Sequence, residues 1–290
     1  MKTLLDTYLS NGQINAIKQE RCNRINKLIL LLEEKDINFF LDKKIFFENE
    51  SYLSYALISY AYIVDRIKDF TNDKIGFKEL KEDVENLSDK LNTVKQRDNL
   101  ILIDYQAKDF IDNLFLDALK IIRKTPFKEY EKFIGCIAIL EHVKSEDVIH
   151  NYTEDFHINT IFTDYVINDR VQNAEIVIHE TAHIYFNYFL ESNKIDLDIS
   201  KLYLDAPWKS EIKRHERGFL HGVFAFSNVL AFYKEIDKKD FNFSKEEKNF
   251  IKSYINFREL QVRKVKKDAL EIIKKYPSEL QYLILEILNK

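Results

Sequence analysis

VQNAEIVIHETAHIYFNYFL, from Val171 to Leu190, is the stretch on which the fold turns. Ala174, Ile176, Val177, Ile178, Ala182, Ile184, Tyr185, Phe186, Tyr188 and Phe189 place apolar side chains on nearly every side of a helix, and a helix that is apolar all round is a buried one. Into it are set His179, Glu180 and His183. Residues four apart stack on one face about one turn apart, so the two imidazoles can grip one divalent ion, with Glu180 turned toward its open side. With seven histidines in 290 residues, chance produces this five-residue pattern at a rate of about 0.03 per chain, so the pattern needs its context. Burying two imidazoles and a carboxyl without partners costs several kcal/mol, and a metal supplies the partner. The alternative is that the three are core residues satisfied by hydrogen bonds.

A second stretch has the same character. From about Glu216 to Lys234, Phe219, Leu220, Val223, Phe224, Phe226, Val229, Leu230 and Phe232 predict another buried helix. Near its start lies His221, in Gly218-Phe219-Leu220-His221-Gly222-Val223. The flanking glycines allow a backbone or ligand to come close. A pair of histidines needs a third ligand. The metzincin continuation would put Gly at 186 and His at 189, where this chain has phenylalanines, so that pattern is absent. Glu191, Glu211 and Glu216 offer carboxylates without a motif, and His221 is the better candidate. His215 reads as an exposed loop histidine. His142, His150 and His157 carry no motif and read as structural.

Outward from these helices the chain is mostly helical. Gly (5) and Pro (3) are scarce, which argues against many short strands. Residues 13–34, 50–70, 76–93, 108–123 and 245–289 show helical spacing, while Phe133–Leu140 and Ile158–Ile167 read as strands. Thr125-Pro126 is the clearest break. The expected fold is mainly α with a small β-sheet (α+β), in which a zincin-like HExxH helix packs against a second buried helix. Residues 1–125 form a helical N-terminal region of unknown role, and residues 126–290 the metal-binding catalytic region, with one continuous domain left open.

Composition narrows the partners. A net charge of −4, from 44 basic and 48 acidic side chains mixed along the chain, gives no general attraction to nucleic acid or to anionic membrane. Cys22 and Cys136 form no CxxC pair, and two reduced thiols in a cytoplasmic protein are expected. Met1–Glu20 lacks the apolar core of a signal peptide. The longest apolar run, Tyr52–Val64, is shorter than the ~20 residues that span a bilayer.

Three segments in order carry a resemblance: His179-Glu180-Thr181-Ala182-His183, then Asp205-Ala206-Pro207-Trp208-Lys209, then Arg217-Gly218-Phe219-Leu220-His221-Gly222-Val223-Phe224-Ala225-Phe226. Together they resemble the HExxH-type peptide β-hydroxylases, over about residues 130–235. The resemblance implies a 2-oxoglutarate- and Fe(II)-dependent oxygenase that hydroxylates the β carbon of side chains in a ribosomally synthesised precursor peptide. It implies Fe(II) on His179, His183 and His221, with Glu180 as ligand or neighbour, and open positions for 2-oxoglutarate and oxygen. The far carboxylate of 2-oxoglutarate calls for an arginine, which binds it bidentately. Arg217, one turn before His221, is the first choice and Arg214 the second. Family members often carry an Arg-Pro pair ahead of Leu-His-Gly. Lys213-Arg214-His215-Glu216-Arg217 has no proline, which leaves the choice of arginine open. Trp208, with Phe224 and Tyr185, would line the pocket, although for any one of them a place in the core is the first reading. The partner expected is a precursor peptide. Residues 1–125 could bind its leader or form a homodimer surface.

The alternative enzyme is a zinc metallopeptidase with Glu180 as the general base that activates a zinc-bound water. A third class is a non-enzymatic module whose N-terminal helices bind a partner.

Overall fold

The computed structural model describes residues 8–20, 100–104, 113–134, 136–140, 151–153, 160–163, 169–208, 212–239 and 241–290. The expected helices at 50–70 and 76–93, Cys22, His142, His150 and His157 lie outside these residues, as does much of the region 1–125. The described residues are mainly helical. Among them, no helix is long and apolar enough to cross a membrane.

The chain divides into two compact units. One is built from residues 1–14, 112–133 and 166–290, and the other from 15–111 and 134–165. The second unit holds a four-stranded sheet: β1 (Leu100–Asp104), β2 (Cys136–Leu140), β3 (Asn151–Tyr152) and β4 (Thr160–Thr163), in the order β1-β2-β4-β3. β1 runs antiparallel to β2, with Leu100 opposite Leu140, and β2 runs parallel to β4, with Cys136 opposite Thr160. β3 closes the far edge antiparallel to β4. The Leu-Ile-Leu-Ile run of β1 is too short for periodicity to separate strand from helix.

The first unit is helical. Residues 11–20 are α1, of which residues up to 14 belong here. They are followed by α2 (Asn113–Arg123), a 3-10 segment (Pro126–Phe133), α3 (Arg170–Ser192), α4 (Glu216–Asp237), α5 (Lys245–Ile273) and α6 (Ser278–Leu288). Thr125-Pro126 lies inside this unit, where α2 gives way to the 3-10 segment. The apolar run from Phe133 is split: Phe133 ends the 3-10 segment and the strand begins only at Cys136. The N-terminal residues are tied to the helices. Leu9 and Ile14 are buried, the Tyr8 hydroxyl donates to Glu286 at 2.9 Å, and Gln13 donates to Ser192 at 2.8 Å.

α3 starts where Asp169 caps it, its carboxylate accepting from the backbone N–H groups of Val171 and Gln172. α4 is capped by His215, whose Nδ1 accepts from the Gly218 N–H at 2.9 Å. His215 is therefore half-buried at a helix start, a correction to its reading as an exposed loop residue. The core between α3 and α4 is aromatic. Phe186 stacks on Phe224 at 4.9 Å and Tyr185 on Phe224 at 5.7 Å, and Phe133 meets Tyr185 and Tyr188 edge-on. Each such side chain contributes ~1.5–3 kcal/mol on burial. Tyr185 and Phe224 have no exposed surface, so they are core and line no pocket.

Candidate metal centre

Fifteen residues of α3 are buried. Apart from Arg170, Glu191 and Ser192 at its ends, what stays partly accessible is one stripe: Gln172, Glu175, His179, His183 and Asn187. Steps of three and four residues place all five on a single face. Five polar side chains thus share one line, while Asn173, Glu180 and Thr181 are buried off it. On α4 the partly accessible residues include Arg217, Gly218, His221 and Phe226.

Along the stripe, His179 Nε2 and His183 Nε2 stand 3.1 Å apart, the rings crossed at 84°. Two imidazoles bound to one ion at about 2.0–2.1 Å with ordinary angles hold their nitrogens about 3.0–3.4 Å apart, so the spacing fits shared ligation. His221 comes from α4 to the other edge of His183. Its Nδ1 is 3.4 Å from His183 Nδ1, and the two rings are nearly parallel at 5.5 Å. Phe186 packs edge-on against His221 at 4.8 Å. The three rings thus form a row with His183 in the middle. Among the described residues, no three His, Cys, Asp or Glu side chains are gathered around one point. Bringing a nitrogen of His221 to the His179–His183 pair takes a rotation of its ring.

Proton accounting along the row shows an unmet need. Each close nitrogen pair requires one hydrogen, and each neutral ring carries one. If His183 is protonated on Nε2, His221 must donate through Nδ1, leaving its Nε2 as a bare lone pair. If His183 is protonated on Nδ1, His221 accepts there and its Nε2 carries an unused N–H. Either way His221 Nε2 is left over, and it is buried with no hydrogen-bond partner. Such an atom costs about 1–3 kcal/mol if left without a partner.

The imidazoles are held in their neutral form. Burial pushes His183 down to about 4. Burial, then His183 and Arg258, hold His179 well below its ordinary value. Burial, then His183, Arg217 and His215, do the same for His221. Neutral imidazole is the ligating form. Glu180, 2% exposed with Oε1 3.9 Å from His179 Nε2, is pushed up to about 8 by burial.

The remaining candidates divide. The Nη2 of Arg217 reaches Asn187 Oδ1, on the stripe, at 3.4 Å. Arg214 serves the loop through its backbone: it pairs with Leu204 at 2.8 and 3.0 Å, and its Nε is buried without a partner. Trp208 lies against α4. A Cβ on Gly222 would fall 2.3 Å from Trp208 Cζ2, and Phe226 is 5.0 Å from the indole. The close approach predicted at this glycine is made by that ring.

Sequence reasoning missed Glu175, Asn187 and Arg258. Glu175 and Asn187 stand four residues before His179 and four after His183, a spacing that could have marked them. A scan of protein-family models finds none that matches the chain, and a search of curated proteins finds no match.

Proposed function

We propose that the chain is a 2-oxoglutarate- and Fe(II)-dependent oxygenase that hydroxylates the β carbon of side chains in a ribosomally synthesised precursor peptide. On this reading its α+β fold presents a zincin-like HExxH helix to a second buried helix, and it works in the cytoplasm. The observation that carries it is the row of imidazoles from α3 and α4, with paired Nε2 atoms at 3.1 Å and a buried, partnerless Nε2 on His221.

His179 and His183 would hold the iron through Nε2, and His221 would join them after its ring turns. When bound, the iron with 2-oxoglutarate supplies the oxidising power to insert oxygen into a C–H bond. Arg217, carried to the stripe by Asn187, would take the far carboxylate of 2-oxoglutarate, with Arg214 as second choice. Trp208 would close one wall and keep water out. Glu180 supports the metallopeptidase reading equally, since its carboxyl adjoins His179 and a cation there would draw it into the ionised form that a general base needs.

Anaerobically loaded protein, given 2-oxoglutarate, air and a candidate precursor peptide, is expected to release succinate and leave the peptide one oxygen heavier. His179→Ala and His183→Ala are expected to abolish both products. Peptide cleavage with zinc, lost in Glu180→Gln and with no succinate formed, would replace the oxygenase with the peptidase.

A further inference from the structure

Arg258 brings a guanidinium into the interior from α5, where it is 8% exposed. A buried cation must be paired and hydrogen-bonded. Its Nη1 donates to Gln261 Oε1 at 2.7 Å, and its Nη2 donates to Glu175 Oε1 at 3.1 Å and to the Tyr254 hydroxyl. Glu175 also accepts from Tyr233 and Tyr254, each at 2.8 Å. Three helices thus meet at one carboxylate: α3 through Glu175, α4 through Tyr233, and α5 through Tyr254 and Arg258. Gln261 continues the network to the loop by donating to the Pro207 carbonyl at 3.2 Å.

The guanidinium also lies over an aromatic ring. Its Cζ is 4.2 Å from the centroid of Phe226, and the ring of His179 is 4.6 Å from the same centroid. Phe226 is therefore in contact with both a buried cation and the first histidine of the motif. Arg258 Nε has no acceptor and is closed to solvent, and the other donors point into the protein. The donors of this guanidinium are thus spent inside the protein.

We propose that Arg258 is a positioning residue for His179: anchored by Glu175, it holds Phe226 against the imidazole and fixes the ring plane that turns Nε2 toward His183. The inference rests on reading His179 as a metal ligand. On that reading the ligand's orientation is set from α5, through an aromatic ring.

The test uses the full chain and Co(II) as the probe. Groups that orient a ligand change metal affinity about 10–100-fold when replaced. Arg258→Gln and Phe226→Leu are each expected to weaken Co(II) binding by that factor and to alter its visible absorption. Phe226→Leu leaves the Arg258–Glu175 pair in place, so it answers even if Arg258→Gln fails to fold. Arg258→Lys keeps a charge for Glu175 but loses the flat stack. It is expected to hold its melting temperature close to wild type while its affinity stays low. In metal-free protein, nuclear Overhauser contacts between the Phe226 and His179 rings are expected in wild type and lost in Arg258→Lys. Wild-type affinity and absorption in both Phe226→Leu and Arg258→Lys would overturn the proposal. If wild type itself binds no Co(II), the metal-centre reading fails. The ring contacts then decide alone whether Arg258 positions His179: their persistence in Arg258→Lys overturns it and their loss supports it.

Discussion

Gly222 shows how closely one residue can tie a loop to the site. The chain has a single tryptophan, and its indole occupies the space that a Cβ at 222 would take. Gly222→Ala gains about 1 kcal/mol in helix propensity, but the clash costs about 1–3 kcal/mol and the ring must leave. The expected result is a lower melting temperature together with a red-shifted tryptophan emission. Unchanged emission would show that Trp208 does not rest on this glycine. Glu216 is the second telling residue. It is 2% exposed and accepts from Lys275 at 2.5 Å, from Tyr276 at 2.5 Å and from Tyr203. Burial pushes its carboxyl up, but the hydrogen bonds from Lys275, Tyr203 and Tyr276 outweigh burial and leave it below the ordinary value of 4.5. A depressed carboxyl contributes stability that is full above its unfolded value and is lost as pH falls through the folded one. Glu216→Gln is therefore expected to cost roughly 1–3 kcal/mol near neutral pH, a gap that narrows on acidification below 4.5. Melting curves of the two proteins from pH 3 to 7 measure it, and a gap that widens toward acid would contradict the assignment.

Residue by residue, the sequence revealed some of the site and hid the rest. His179 and His183 stood out because two polar rings at four-residue spacing interrupt an apolar helix, and His221 because it does the same in the next one. Arg258 could not stand out. Phe257-Arg258-Glu259-Leu260 is an ordinary amphipathic run, and only the packing decides which charge turns inward. His215 was misread because nothing around it announces that its own ring caps α4.

At the scale of elements, α3 and α4 occupy the stretches read as buried helices. Their all-round apolarity is a strong signal, and the caps settle the ends. The segment 245–289, read as helical, holds two helices. α5 ends at Ile273, and α6 starts at Ser278 behind Pro277, where a proline fits ahead of a helix start but not within one. α5 begins with a capping box in which Ser244 accepts from the Glu247 N–H at 3.1 Å and Glu247 accepts from the Ser244 N–H at 2.7 Å. Glu247 also pairs with Arg170 at 2.8 Å, tying the starts of α5 and α3 together. Ser244→Ala is expected to cost about 1 kcal/mol, and Glu247→Ala more, since it removes the box and the tie to α3 at once. Urea denaturation of both variants checks the order, and an equal or reversed loss would remove the tie from the account.

At the scale of the whole molecule, the mainly helical character followed from scarce glycine and proline and from long runs of helical spacing. The division into units did not follow, because each is assembled from separated stretches of chain, and no local pattern records which distant segments pack together. The central claim is that three imidazoles on two packed helices of one unit take a single ion. X-ray absorption at the iron edge of the Fe(II)-loaded chain measures this directly. One retained iron per chain is expected, with scattering from three imidazole rings that falls to two in His221→Ala. Iron that washes away, or a loaded spectrum without imidazole scattering, would contradict it.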